Sequence, residues 1–257
     1  MIKKIILPIV LSSVFANLQA ASIDDLTVAI LRNSDITVRQ LQRQGVNPNA
    51  RDANGRTPLT YAIQERAQRV LPLLLEWPRI NINLENAAGE SPLMLAIITG
   101  QTDLAKTLIQ RGAAVNKAGW SPLLYAAARG NVDVMRMLLA REAYVDATAP
   151  NLATPLMYAA RFGTPEAVQL LLNNDADIWM RDSLGRTALF WAQAGGNATS
   201  IQLLEAAQRK TPDYGKVEAA KPLTDEEIAR MKGLPWPPEP EVAPETQGNP
   251  EAPKTSH

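Results

Sequence analysis

The sequence predicts an all-α solenoid of stacked helix–turn–helix units joined by short hairpin loops, followed by a Pro-rich and largely disordered tail. Three observations support this fold class. A Thr/Ser-Pro-Leu triplet recurs at a nearly constant spacing, a Leu-rich stripe follows each triplet, and the composition changes near residue 211. A period of about 33 residues is typical of architectures in which each unit buries its apolar face only against its neighbours.

The triplets begin 34, 30, 33 and 33 residues apart, and they are Thr57-Pro58-Leu59, Ser91-Pro92-Leu93, Ser121-Pro122-Leu123, Thr154-Pro155-Leu156 and Thr187-Ala188-Leu189. The Thr or Ser hydroxyl is suited to capping a helix, and Pro fits the first helical position. We expect Gly100, Gly130 and Gly163 to end the first helix of their units in the left-handed conformation. Leu pairs and triplets then indicate a second helix, as at Leu138-Leu139 and Leu170-Leu171-Leu172.

This pattern resembles the ankyrin repeat, in which Asp-x-x-Gly-x-Thr-Pro-Leu-His-x-Ala opens a helical pair. Residues 52–59 match the opening residue by residue, and residues 182–189 match it except at Ala188. The family's His is absent, because Thr60, Met94, Leu124, Met157 and Phe190 occupy its position. Additional apolar packing is expected to compensate for the hydrogen bond of that His.

The first full unit departs from the pattern in two further places. Arg66 stands where Gly ends the first helix of other units, and Pro72 falls within the second helix. Proline inside a helix costs about 3 kcal/mol or more. This cost applies unless the second helix begins late.

The resemblance places the ankyrin domain at residues 22–210. A helical cap covers residues 22–51, and repeats lie near residues 52–85, 86–117, 118–148, 149–181 and 182–210. Residues 211–257 contain nine Pro, five basic and nine acidic residues, giving a net charge of −4. This composition is typical of disordered segments. A short helix is predicted at residues 225–232, which either stays isolated or docks on the last repeat or on a partner. The stretch Pro235-Trp236-Pro237-Pro238 is either a peptide ligand or a spacer.

The N-terminus has the layout of a secretory signal peptide. Lys3 and Lys4 precede an apolar run from Ile5 to Ala16, and small residues follow at Ala20 and Ala21. The run is shorter than the roughly 20 residues that a membrane-spanning helix needs. We expect cleavage of residues 1–20 and a periplasmic location; the alternative is an uncleaved anchor.

Composition restricts the chemistry available. Lys plus Arg and Asp plus Glu number 26 each, so the chain has no general attraction to nucleic acid. There is no Cys, and the one His is His257, so His- or Cys-based zinc sites and nucleophile–His triads lack their residues. We expect a monomer without a metal, a cofactor, an integral membrane span or an enzymatic activity.

The resemblance implies that a protein partner binds the concave face, through the hairpin tips and one stripe of each first helix. Carrying these positions over gives a stripe of aromatic residues with Arg beside it, which is the composition of binding hot spots. The predicted binding residues are Tyr125, Tyr158, Trp191, Trp120, Phe162, Arg129, Arg161 and Arg186. The alternative is that these aromatic residues are buried between repeats. The arginines would suit a partner that presents carboxylates.

The functional prediction is a periplasmic scaffold or adaptor that supports another exported protein. Some periplasmic ankyrin proteins that this chain resembles are linked to catalase support and oxidative stress. The alternative is an immunity protein that neutralises a toxin delivered to the periplasm. A third class, a binder of glycans or small ligands, would use the aromatic residues for stacking.

Overall fold

The computed structural model describes residues 22–211, and every regular element among them is an α-helix. The chain divides into two compact units, Met1–Ile80 and Asn81–His257. The described parts of these units are residues 22–80 and 81–211. The all-α prediction is confirmed for these residues. The predicted signal peptide at residues 1–20 and the predicted helix at residues 225–232 lie outside them.

The first unit contains four helices, α1 (Ile23–Leu31), α2 (Asp35–Arg43), α3 (Pro58–Gln64) and α4 (Leu71–Leu75). Ser22 and Asp25 form a capping box at the start of α1. The second helix does begin late, because Pro72 lies in the first turn of α4, which is only five residues long. Arg66 has a φ of 52°, the left-handed conformation that Gly adopts in other units.

The second unit contains eight helices arranged as four successive pairs. They are α5 (Pro92–Ile98), α6 (Thr102–Gln110), α7 (Pro122–Ala128), α8 (Val132–Leu139), α9 (Pro155–Phe162), α10 (Pro165–Leu172), α11 (Ala188–Gly195) and α12 (Ala198–Lys210). The first helices of the pairs contact one another in order, and so do the second helices. Each helix is short, so packing between repeats stabilises it more than its intrinsic propensity does.

In the second unit, the Ser or Thr of each triplet caps the helix that follows it, except for Thr187 in the last triplet. The hydroxyls of Ser91, Ser121 and Thr154 accept hydrogen bonds from backbone N–H groups in the first turn of α5, α7 and α9, at 3.2–3.4 Å. Thr187 makes no side-chain capping bond to α11, contrary to the prediction. The triplet of Thr187 is also the one in which Ala188 replaces Pro.

Two sets of buried side chains form the core of the second unit. The Ala pairs Ala126-Ala127 and Ala159-Ala160 are fully buried, which allows α7 and α9 to approach closely. Leu108, Leu138 and Leu171 of the second helices are also fully buried. A buried Leu side chain contributes about 1.5–3 kcal/mol relative to an exposed one.

Glycine ends these first helices in two different ways. Gly100 and Gly130 have φ values of 71° and 62°, as predicted. The prediction for Gly163 was wrong, because its φ is −85°. A Cβ atom at Gly163 would lie 2.4 Å from the carbonyl oxygen of Ala127. Gly163 is therefore required by the close approach of two backbones and not by a left-handed turn.

A ladder of side-chain hydrogen bonds joins the loops of successive repeats in the second unit. The Oδ1 atom of Asn83 accepts from the N–H of Ala114 at 2.8 Å, and Oδ1 of Asn116 accepts from the N–H of Tyr144 at 2.9 Å. The carboxylate of Asp146 accepts from the N–H of Asp177 at 3.1 Å. Each loop is thereby held against the next.

Candidate protein-binding surface

Five aromatic side chains form a continuous row along the last three repeats of the second unit. The row consists of Trp120, Tyr125, Tyr158, Phe162 and Trp191. Trp120 lies between Tyr125 and Tyr158, with ring centroids 5.6 and 5.7 Å apart. Tyr158 is 5.3 Å from Trp191 and 6.2 Å from Phe162. These distances lie within the range in which aromatic pairs attract one another. The structure thus brings together all five aromatic residues predicted for the binding site.

The row is more deeply buried than the sequence analysis predicted. Tyr125, Tyr158 and Trp191 are only 6%, 3% and 4% exposed, so the prediction that they form an exposed stripe was wrong. Rings on adjacent first helices cover one another because the helices are close enough for their side chains to stack. Phe162 is 40% exposed and Trp120 is half-buried, so these two present the row to solvent.

Burial fixes the protonation state of the two phenols. It raises the pKa of Tyr158 to about 12, with smaller contributions from surrounding groups. Burial, together with Glu90 and Tyr158, also raises the pKa of Tyr125. Both hydroxyls therefore stay neutral at physiological pH. They can contribute packing and hydrogen bonds, but neither is activated as a nucleophile or a base.

Two of the predicted arginines flank the end of the row. The guanidinium carbon of Arg161 lies 4.7 Å from the ring centroid of Phe162 and 5.9 Å from that of Trp191. The guanidinium carbon of Arg186 lies 5.4 Å from the ring centroid of Trp191. Both cations are therefore within cation–π range of the same indole. Burial and the charge of Arg186 lower the pKa of Arg161.

Asp182 is a supporting residue that the sequence analysis did not assign to the site. It is 4% exposed, and its Oδ2 atom accepts from Arg186 Nε at 2.7 Å and from Trp191 Nε1 at 2.9 Å. Asp182 thus orients both a predicted arginine and a predicted aromatic residue from behind. The opening Asp of the repeat motif was the sequence signal for it, since Asp52 binds Arg56 in the same way.

Arg129 lies at the C-terminal end of α7 and is exposed. Its guanidinium group donates to the carbonyl oxygen of Ile98 in the preceding repeat. The structure therefore gives Arg129 a contact between repeats, while Arg161 and Arg186 are placed against the aromatic row.

Two apolar side chains project from the neighbouring hairpin loops. Leu152 and Leu184 are 50% and 67% exposed. The two loops are joined by a hydrogen bond from the N–H of Ser183 to the carbonyl oxygen of Asn151, 2.9 Å long. Leu184 belongs to a loop tip predicted to face a partner, whereas Leu152 was missed because a Leu in a turn carries no distinctive signal.

Within residues 22–211, no group of three or more His, Cys, Asp or Glu side chains is arranged to hold a metal ion. The same part of the chain contains no helix that is long and apolar enough to cross a membrane. The surface thus offers stacking, apolar contact and two guanidinium groups.

Comparisons with known proteins agree with the repeat geometry. The family model for ankyrin repeats (3 copies) matches residues 69–151 and 145–213, which is more than half of the chain. The human transient receptor potential cation channel subfamily A member 1 is 33% identical over 85 residues, or 33% of this chain and 8% of the channel. The chain spans less than a tenth of the length of the curated relatives it matches.

Two solved structures share the fold over most of their length. One is the human ASB11 ankyrin repeat domain, with a TM-score of 0.63, 25% identity and coverage of 82% of this chain and 98% of that one. The other is a chain in the complex of the Bd0816 predatory endopeptidase from Bdellovibrio bacteriovorus with the immunity protein Bd3460. It has a TM-score of 0.62, 28% identity and coverage of 71% and 97%. The triplets, the paired helices and the family match together establish that this chain belongs to the ankyrin repeat family.

Proposed function

We propose that the chain is a protein-binding scaffold or adaptor and that the aromatic row, with Arg161 and Arg186, is its partner-binding site. The observation that carries this proposal is the placement of both guanidinium groups against Trp191, next to the exposed ring of Phe162. Aromatic residues and Arg dominate the energetics of protein interfaces. Their rigid placement lowers the entropy that binding would otherwise lose.

The burial of the row changes which residues would touch a partner. Phe162 is exposed and Arg161 is partly exposed, whereas Tyr158, Trp191 and most of the Arg186 side chain are buried. In this proposal the buried rings act as a platform that holds the accessible groups in place. The binding energy then comes from the accessible groups, and the fold depends on the buried ones.

The scaffold is proposed to act in the periplasm after cleavage of residues 1–20. The support is the basic start, the short apolar run and the small residues at Ala20 and Ala21. Mass spectrometry of the protein purified from its native cell should find a mature N-terminus near Ala21. An intact N-terminus would contradict export by cleavage, without affecting the proposed binding site.

The binding site is tested with two exposed aromatic residues of the same unit. Phe162 is 40% exposed and belongs to the row, whereas Tyr144 is 68% exposed and lies on a loop after α8. Partners are captured by crosslinking in periplasmic extracts, identified, purified and titrated. Phe162→Ala should weaken binding by about 2 kcal/mol, or roughly thirtyfold, and Tyr144→Ala should leave it unchanged. Equal affinity of both variants and the wild type would move the site elsewhere.

One observation favours a second candidate function, that of an immunity protein. The array aligns with almost the whole of a chain from a complex between an endopeptidase and an immunity protein. An immunity protein should abolish the activity of the partner it captures, whereas an adaptor should preserve or raise it. Assaying the captured partner with and without this chain distinguishes the two functions.

A further inference from the structure

Leu152 adopts the left-handed backbone conformation that glycine adopts at the same place in other hairpin loops. The N–H of Leu152 donates to the carbonyl of Ala149, as Gly185 donates to Asp182 and Gly89 to Asn86 at the same place in their loops. Leu152 has a φ of 61°, and half of its surface is exposed. The left-handed conformation is unfavourable for a residue with a Cβ atom, and burial of Leu152 does not offset it.

Leu152 lies in a hairpin loop that is linked to the aromatic row through its neighbour Asn151. The hydrogen bond between Ser183 and Asn151 sets its loop beside that of Leu184. The side chain of Asn151 also hydrogen-bonds with the phenol of Tyr158. We call Leu152, Leu184 and Phe162, together with the guanidinium groups of Arg161 and Arg186, the tip surface.

The charge of the tip surface is positive. Arg161 and Arg186 contribute two cations beside one indole, and Asp182, which pairs with Arg186, contributes one anion. The carboxylate of Asp182 lies beneath Arg186, fully enclosed, where it already accepts four hydrogen bonds from Leu184 N, Arg186 N, Arg186 Nε and Trp191 Nε1. An occupant that presents carboxylates between apolar side chains would complement both properties of this surface.

A segment of the same chain has this chemistry. Residues 233–251 contain four Glu and no Lys or Arg, and they include Leu234, Trp236 and Val242 among six Pro. We propose that residues 233–251, which lie outside the described part of the chain, bind the tip surface. Pro-rich peptides are commonly recognised by surfaces lined with aromatic residues. Apolar side chains of the segment would contact Leu152, Leu184 and Phe162, and its Glu side chains would pair with the two arginines.

The linker between Thr211 and residue 233 is long enough for the segment to reach the tip surface. The carbonyl of Thr211 accepts a hydrogen bond from Trp179 Nε1 at 3.0 Å, so the described chain ends against the loop that closes the fourth repeat. Residues 212–232 can span at most about 75 Å when extended. The tip surface lies in the fourth and fifth repeats. A tethered segment has an effective concentration of about millimolar, so weak contacts suffice.

Because the inference concerns the surface assigned above, it rests on the proposed function and adds a regulation to it. A segment bound in this way would compete with any partner for Phe162 and Arg161. The partner would have to displace it, and the affinity of the whole chain would be lower than that of the unobstructed surface. Binding would also weaken with added salt, since part of it is electrostatic.

The absence of Cys from the chain allows a direct test in the full-length protein. Disulfide formation is measured in Ser183→Cys with Gln247→Cys, and compared with Arg141→Cys with the same Gln247→Cys. Ser183 lies beside Leu184, whereas Arg141 is an exposed residue after α8. The Ser183 pair should form at least about tenfold faster than the Arg141 pair, because docking raises the local concentration of one thiol near the other. Equal rates would overturn the proposal.

Two changes separate binding from folding. Leu152→Gly relieves the left-handed conformation, so the array should unfold at the same or a higher denaturant concentration while the Ser183 crosslink slows several-fold. Replacing Glu239, Glu241, Glu245 and Glu251 by Gln should slow the crosslink similarly without touching the repeats. A crosslink rate unaffected by either change would mean that the tip surface is not the docking site.

Capture of a partner distinguishes this inference from the proposed function. If the segment occupies the site, the four-Gln variant should bind the partner several-fold more tightly than the wild type. If Leu152→Gly slows the crosslink but Phe162→Ala leaves partner affinity unchanged, the inference stands and the proposed partner-binding site is refuted. If Leu152→Gly leaves the crosslink rate unchanged but Phe162→Ala weakens partner binding, the proposed site stands and the inference is refuted.

Discussion

Asp146→Asn should stabilise the second unit, because this position interrupts the ladder of amide side chains. Asn116 makes two bonds to the next repeat, accepting from the N–H of Tyr144 and donating through Nδ2 to the carbonyl of Glu142, each at 2.9 Å. Asp146 can only accept, and it does so from the N–H of Asp177. Asp175 shares the left-handed conformation of Glu142, so we expect its carbonyl to accept from an amide at residue 146 as the carbonyl of Glu142 accepts from Asn116.

The magnitude follows from these contacts. One additional hydrogen bond contributes about 1 kcal/mol. Burial and the charge of Asp177 also raise the pKa of Asp146, although the backbone bond of Asp177 lowers it in part. A raised pKa means that ionisation of Asp146 opposes folding at neutral pH, and the amide removes this cost. We expect a gain of about 1 kcal/mol from the added hydrogen bond, or a few degrees in the midpoint of thermal unfolding, and a further gain at neutral pH from removing the ionisation of Asp146.

The pH dependence gives a second check. Asp146 favours folding most when it is protonated, below its unfolded pKa, and this contribution is lost as the pH rises through its higher folded pKa. The advantage of Asp146→Asn should therefore be larger at pH 7 than at pH 4. Denaturant unfolding followed by circular dichroism at both values measures it. A variant less stable than the wild type at pH 7, or an advantage that grows on acidification, would refute this account of the ladder.

The remaining predictions concern backbone conformation and the buried row. Gly163→Ala should destabilise the array by about 2–3 kcal/mol, because its Cβ would lie 2.4 Å from the carbonyl oxygen of Ala127. Gly100→Ala has open space around its Cβ and should cost only about 1 kcal/mol. Equal denaturant midpoints for the two variants would contradict the close approach at Gly163. Arg66→Gly should stabilise the first unit by about 0.5–1 kcal/mol, measured in the same way, because Arg66 has a φ of 52°. Tyr158→Ala should cost about 3–5 kcal/mol in urea unfolding, and a loss below 1 kcal/mol would show that the ring is not the platform described.

The repeat pattern was sufficient to predict the helices because its signals are local. A hydroxyl before Pro caps a helix regardless of its neighbours, so α5, α7 and α9 begin where Ser91, Ser121 and Thr154 indicate. Pro72 likewise limits α4 through its own ring and missing N–H. These effects act within a few residues of the chain, which is the range that a sequence pattern describes.

The burial of the candidate site could not be predicted in the same way. The helical period correctly grouped Tyr125, Tyr158 and Trp191 on one stripe, but it does not reveal how much of that stripe the adjacent repeats cover. Coverage depends on the separation of adjacent helices, which in turn depends on residues such as Gly163. The repeat motif also suggested a left-handed turn at Gly163. The actual constraint is the carbonyl oxygen of Ala127, 36 residues earlier in the chain.

The side-chain ladder between loops has a mechanical consequence. Asn83, Asn116 and Asp146 each fasten one loop to the next with one or two hydrogen bonds, and these bonds lie in series along the chain. A force that pulls on both ends of the second unit would be resisted least at a contact with a single bond, such as that between the third and fourth repeats, where Asp146 provides no donor. The second unit should yield there and then lengthen in steps of about 110 Å as each repeat of roughly 33 residues extends.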